Sequence, residues 1–178
     1  MTIIGIDPGT ISTGFGIISY EKNQLVKITS GVIKPPLSKD LAPRLQAIYD
    51  GIFKLIKNFN PDEFSIETAF FDKNVQSAMK IGYARGVSLL AAAHNNLTIG
   101  EYSPREVKKA VVGIGAASKE QVQYMIKKLL DIPKGKMKFD ESDALAVAIC
   151  HAFKKNSANK SGGSWKKFIE ENPDRIIG

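Results

Sequence analysis

The stretch that decides the fold is TIIGIDPGTISTGFGIISY, residues 2–20. An apolar run ends on Asp7, and Pro8 and Gly9 follow at once. A short apolar run bounded by a Pro-Gly turn is typical of a central β-strand. A carboxylate at the end of such a strand either forms a turn with its own backbone or takes part in chemistry, and the chemical role requires partners.

The rest of the chain alternates between strand-like and helix-like patterns. Capping-box patterns begin at Ser103 and at Ser118, each with Glu or Gln three residues later. The predicted elements are strands over 2–7, 14–20 and 24–34, a helix over 40–59, a strand over 63–67, a helix over 74–94, a strand over 97–102, a helix beginning at 103, a helix from 118 to about 130, and a last helix over 140–153. This order predicts an α/β fold with a five-stranded mixed sheet flanked by helices.

Length and composition predict one domain with a tail. The chain has 178 residues and a net charge of +7, and it loses apolar periodicity after about residue 153. We therefore predict a domain over 1–153 and a basic, flexible tail over 154–178. A basic balance suits an anionic partner such as nucleic acid or a membrane surface.

Cysteine usage and hydropathy bear on location. Cys150 is the only cysteine, which excludes an intrachain disulfide and suits a reducing compartment. The apolar runs are too short to span a bilayer, and no signal peptide is visible. The expected location is the cytoplasm, with no membrane association.

Four acidic residues answer the question that Asp7 raises. Glu67 ends the fourth predicted strand, so an adjacent parallel arrangement would bring it to the same sheet edge as Asp7. Asp140 and Asp143 lie three apart at the start of the last helix and share one face. Each acid alone could be a turn former, a solvated strand end or a helix-terminal acid. Together they would repel one another unless a cation neutralises them.

An oxygen-only set of ligands indicates the kind of cation. Carboxylates suit Mg²⁺ or Mn²⁺ rather than zinc. Two such ions in one site can activate a water and stabilise the leaving oxygen of a phosphodiester. The acids therefore predict a metal-dependent nuclease.

Four segments in this order resemble the RuvC family of Holliday junction resolvases: IGIDPGTISTGFGII, IETAFFDKNVQSAMKIGYARGV, REVKKAVVGIGAASKEQV and DESDALAVAI. The resemblance runs from the N-terminus to about residue 153 and implies a ribonuclease-H-like fold. It implies that Asp7, Glu67, Asp140 and Asp143 bind divalent metal and are catalytic. It also implies a homodimer that nicks two strands of a four-way junction symmetrically, alongside the RuvA and RuvB branch-migration proteins.

Three further residues are expected to contact DNA. Phe70 matches the family's aromatic residue that stacks on a base near the cleavage point, although a core position would also suit it. Lys108 and Lys119 match family lysines near the active site. Lys119 lies in the first turn of a predicted helix, where the helix dipole disfavours a cation but a phosphate would suit it.

Gly82 and Gly86 form a G-x-x-x-G pattern, two small residues four positions apart, in the helix predicted over 74–94. Close packing within the monomer would explain it, and the resemblance implies that this helix lies near the dimer interface.

Two other classes of protein remain as alternatives. IDPGT resembles the phosphate loop of actin-like sugar kinases and chaperone ATPases, but those proteins need a duplicated domain and a second phosphate loop. A non-enzymatic junction binder would gain nothing from four acids that repel phosphates. ATP turnover, metal-dependent nicking, and binding without nicking separate the three classes.

Overall fold

The computed structural model of the protein describes residues 1–68, 75–133 and 135–158. Phe70 and residues 159–178 of the predicted tail lie outside the described residues. The elements are β1 (Thr2–Asp7), β2 (Thr13–Glu21), β3 (Gln24–Ile33), α1 (Leu41–Phe59), β4 (Glu63–Glu67), α2 (Val75–Ala93), β5 (Thr98–Tyr102), α3 (Pro104–Val112), α4 (Lys119–Leu129) and α5 (Phe139–Ala158).

The five strands form one mixed sheet in the order β3-β2-β1-β4-β5. The first three strands are antiparallel neighbours, whereas β4 runs parallel to β1 and to β5. Ile6 of β1 lies opposite Ile66 of β4. Asp7 and Glu67, the next residues, therefore reach the same sheet edge, and the predicted mixed α/β sheet is confirmed.

The two faces of the sheet pack against different helices. Ile6 and Ile66 belong to a buried cluster with α1 and α2, whereas Ile3 belongs to a cluster with α3, α4 and α5. Side chains alternate between the faces of a strand. Asp7 and Glu67 consequently lie on the face that α5 covers.

Glycines allow α5 to lie directly on the central strands. A Cβ atom at Gly5 would stand 2.3 Å from the carbonyl oxygen of Ala144, and one at Gly14 would stand 1.9 Å from that of Asp140. Any larger side chain would push the helix away from the sheet. This contact holds the first turn of α5, with Asp140 and Asp143, at the edge where Asp7 lies.

The last helix continues past its predicted end at residue 153 and reaches Ala158. Lys155, which the sequence had assigned to the tail, lies in this helix and pairs with Glu63. The other carboxylate oxygen of Glu63 contacts His151, whose Nδ1 lies 2.8 Å from the hydroxyl of Tyr102. Burial acts to raise the pKa of Glu63, but the hydrogen bonds from Lys155 and His151 outweigh it and lower that pKa overall.

The division into a domain over 1–153 and a tail over 154–178 stays a prediction.

In the part of the chain that the structure describes, no helix has both the length and the apolarity needed to cross a membrane.

Candidate active site

Three of the four predicted acids line one cavity of about 240 Å³. Asp7 comes from β1, Glu67 from β4 and Asp143 from α5. Lys108 of α3 and Lys119 of α4 line the same cavity. Five residues that the sequence singled out are thus brought together from five different elements.

Local sequence signals position the two lysines. The Ser103 hydroxyl accepts from the Glu106 backbone in a capping box that begins α3. Ser118 and Gln121 form the same arrangement at the start of α4, which makes Lys119 its first residue. Both predicted helix starts are confirmed, because each cap satisfies backbone N–H groups that the helix itself leaves unpaired.

Asp140 lies beside this cavity and does not line it. The Ser12 hydroxyl, in the loop between β1 and β2, donates a hydrogen bond to its Oδ2. The charge of Asp140 still contributes to the raised pKa of Asp7. Ser12 is a site residue that sequence reasoning missed, since no motif connects it with an acid 128 positions away.

The acids carry more negative charge than the lysines neutralise. Burial, together with the charges of Glu67, Asp143 and Asp140, raises the pKa of Asp7 to about 8 against the opposing charge of Lys119. Burial and the charge of Asp143 likewise raise the pKa of Glu67 to about 7, against the effect of both lysines. Such shifts are typical of clustered carboxylates that await a cation.

Lys119 compensates part of this charge. Its Nζ lies 3.0 Å from Oδ2 of Asp143, and this ion pair accounts for a cation at a helix N-terminus. Burial acts to lower the pKa of Lys119, but the hydrogen bond to Asp143 and the charges of Asp143, Asp7 and Asp140 raise it overall. Lys119 therefore stays positively charged at neutral pH.

The donor set fits a hard divalent cation. All four acids offer carboxylate oxygens, which Mg²⁺ and Mn²⁺ prefer. Within the described ranges, no group of three or more acidic, histidine or cysteine side chains is placed closely enough to hold a metal ion as it stands. Two of the acids are engaged instead, Asp140 by Ser12 and Asp143 by Lys119. A cation would compete with these partners and would relieve the repulsion that raises the pKa of Asp7.

Comparisons with known proteins agree with this geometry. The family model of RuvC, described as crossover junction endodeoxyribonuclease RuvC, matches residues 3–151. A crossover junction endodeoxyribonuclease RuvC from Cytophaga hutchinsonii is 45% identical over 177 residues, which cover 98% of this chain and 87% of the relative. One from Colwellia psychrerythraea is 48% identical over 95% of this chain and 97% of its own.

A solved structure is similar as well. RuvC of T. thermophilus, in complex with a Holliday junction substrate, superposes with a TM-score of 0.83 at 29% identity. The superposition covers 89% of this chain and 96% of that one. The ribonuclease-H-like architecture is confirmed by this likeness. With a family model that matches nearly the whole described chain and relatives this similar, the chain belongs to the RuvC family of crossover junction endodeoxyribonucleases.

Proposed function

We propose that the protein is a metal-dependent, structure-selective endodeoxyribonuclease that resolves four-way DNA junctions by paired symmetric nicks during recombination and repair. The cavity that unites Asp7, Glu67 and Asp143 with Lys108 and Lys119 carries this proposal. The T. thermophilus relative was solved with a Holliday junction substrate, which supports the same substrate here.

Asp7, Glu67, Asp140 and Asp143 would hold two Mg²⁺ ions, with Mn²⁺ able to substitute. When bound, such ions activate a water and stabilise the leaving oxygen of the phosphodiester. The residues of the chain do the positioning: β1 and β4 fix two carboxylates on one edge, and Ser12 orients Asp140. Lys108 and Lys119 place positive charge where the scissile phosphate would enter.

A panel of substrates tests the proposal. Purified protein with Mg²⁺ is expected to nick a four-way junction at least about tenfold faster than a fork or a plain duplex, and chelation should abolish nicking. Equal rates on all three substrates would remove the junction selectivity. Steady ATP turnover without nicking would favour the actin-like alternative, and tight junction binding without nicking would favour a pure binder.

Lys119→Ala is expected to reduce junction cleavage by about 10²-fold or more, because one preorganised positive group is lost beside the developing charge. Mn²⁺ binding by the DNA-free variant should not weaken, since Lys119 competes with a cation for Asp143. Single-turnover cleavage and calorimetric Mn²⁺ titration measure the two effects.

Lys109→Ala is the matched control for Lys119→Ala, because Lys109 is exposed on α3 and does not line the cavity. Lys155→Ala is unsuitable, since that lysine pairs with Glu63. Equal losses in the Lys119 and Lys109 variants would reduce Lys119 to a general surface charge.

A homodimer would pair α2 with its copy. Val75 and Leu90, on one side of the helix, are exposed at 71% and 47%. A Cβ at Gly82 or Gly86 would meet nothing within 4 Å, so these glycines do not serve close packing within the described monomer. An exposed apolar helix face with open glycines suits a self-complementary interface.

Leu90→Glu tests this interface. Sedimentation is expected to show a monomer, because a charge on the apolar face would have to be buried without a partner. The variant should lose paired nicking of one junction and keep its far-UV circular dichroism. Val26→Glu is the control, since Val26 is 56% exposed on the edge strand β3. A dimeric Leu90→Glu variant would place the interface elsewhere.

The remaining proposals come from the resemblance. We assign Phe70, outside the described residues, to stacking on a base near the cleavage point. RuvA and RuvB are the proposed partners in branch migration. The single cysteine, Cys150, is free and buried, which suits the reducing cytoplasm.

A further inference from the structure

A second cavity, of about 410 Å³, lies between the start of α1 and one side of α2. It is separate from the cavity of the acids, and the proposed function leaves it without a role. Its wall combines three cations with apolar and aromatic side chains: Lys39, Arg44, Lys80, Leu41, Met79 and Tyr83.

The cations of this cavity lack counter-charges. Nε of Arg44 is buried and has no hydrogen-bond partner. Within the described ranges, no acidic residue lines the cavity and none of its three cations forms an ion pair. A buried, unpaired donor is costly, and three neighbouring cations repel one another. The cavity is therefore built for an anion.

The cavity adjoins the proposed cleavage site. Thr10 lines it and lies only three residues after Asp7, so their Cα atoms are at most about 11 Å apart. A strand whose phosphate lies at the acids would reach this cavity by crossing the sheet edge at Thr10, from the α5 face to the side of α1 and α2. The exposed ring of Tyr83 adds a surface of the kind on which bases stack.

We infer that this cavity binds one nucleotide of the cleaved strand, next to the scissile phosphate. Arg44 binds its phosphate, supported by Lys39 and Lys80, because a guanidinium matches the geometry of phosphate oxygens. The base packs against Tyr83 and Met79. The inference rests on the proposed function, since it takes the substrate to be DNA.

Salt dependence of junction binding tests the phosphate contacts. Ca²⁺ replaces Mg²⁺ to suppress cleavage. The association constant K for the junction falls as salt rises, and Arg44→Ala and Lys80→Ala should each make the slope of log K against log[salt] less negative by about 1. Lys54→Ala is the control, because Lys54 is exposed on α1 and does not line the cavity. Lys80 is also exposed, so Lys80→Ala should fold, and it provides the test in case Arg44→Ala does not fold.

An abasic nucleotide tests the base contact. Tyr83→Ala should weaken binding of an intact junction about fivefold or more. That loss should disappear when one nucleotide beside the cleaved phosphate is made abasic. If Tyr83→Ala still weakens binding when each flanking nucleotide in turn is abasic, a base contact in this cavity is excluded.

The outcomes separate the two proposals. A wild-type protein that neither binds nor nicks junctions would overturn the proposed function, and this inference with it. A wild-type protein that nicks junctions, with Arg44 and Lys80 variants whose slopes equal that of Lys54→Ala, would overturn this inference alone.

Discussion

Asp7→Asn is expected to reduce junction cleavage by about 10³-fold or more while junction binding stays equal or strengthens. The asparagine keeps the shape of the side chain but removes a charge that holds the cations, which are worth several kcal/mol to the transition state. It also removes a charge that faces the phosphates. Single-turnover cleavage and binding in Ca²⁺ measure the two effects, and near wild-type nicking would exclude Asp7 from the mechanism.

The same substitution should stabilise the metal-free protein. The pKa of Asp7 is about 8 in the folded protein, above the ordinary 3.8, so the folded state binds the extra proton between these values. Stability must then fall as pH rises from about 4 to 8, and Asp7→Asn should remove that loss. At pH 8 without metal, we expect the variant to melt at least about 4 °C higher than wild type.

Asp50→Asn is the matched control, since Asp50 is exposed on α1 and does not line the cavity of the acids. It should alter neither cleavage nor melting temperature. A metal-free Asp7→Asn protein that melts no higher than wild type at pH 8 would contradict the electrostatic account of the site.

Gly14→Ala is expected to reduce cleavage by about 10²-fold or more although position 14 carries no functional group. Its Cβ would lie 1.9 Å from the backbone oxygen of Asp140, so the first turn of α5 must move. A displacement of about 1 Å can cost about 10²-fold when groups must be aligned. Overpacking should also destabilise the fold by about 1–3 kcal/mol.

Gly51→Ala supplies the control for this glycine. Gly51 lies within α1, and the three atoms nearest its added Cβ all belong to the side chain of Ile33, the closest at 3.0 Å. Its melting temperature should stay equal or rise, because alanine favours the helix by about 1 kcal/mol. Wild-type cleavage by folded Gly14→Ala would show that α5 can shift without moving the proposed metal ligands out of place.

The sequence alone predicted the order of the elements and singled out four acids, three of which the structure brings to one cavity. Strand and helix periodicities, the strand end before Pro8 and Gly9, and the capping boxes at Ser103 and Ser118 are local signals, and the structure reproduces each of them. They are readable because backbone hydrogen bonding and the alternation of buried residues depend on near neighbours. The predicted end of α5 at residue 153 was wrong, since the helix reaches Ala158 and its added part includes Lys155, which pairs with the distant Glu63.

Only the tertiary structure decided which groups meet. The pairing of Lys119 with Asp143, the Ser12 contact to Asp140 and the cavity around Arg44 join segments far apart in sequence. These encounters depend on the parallel pairing of β1 with β4 and on the close passage of α5 over Gly14. No local pattern encodes them, because the crossing of a helix over a sheet is fixed by packing of the whole core.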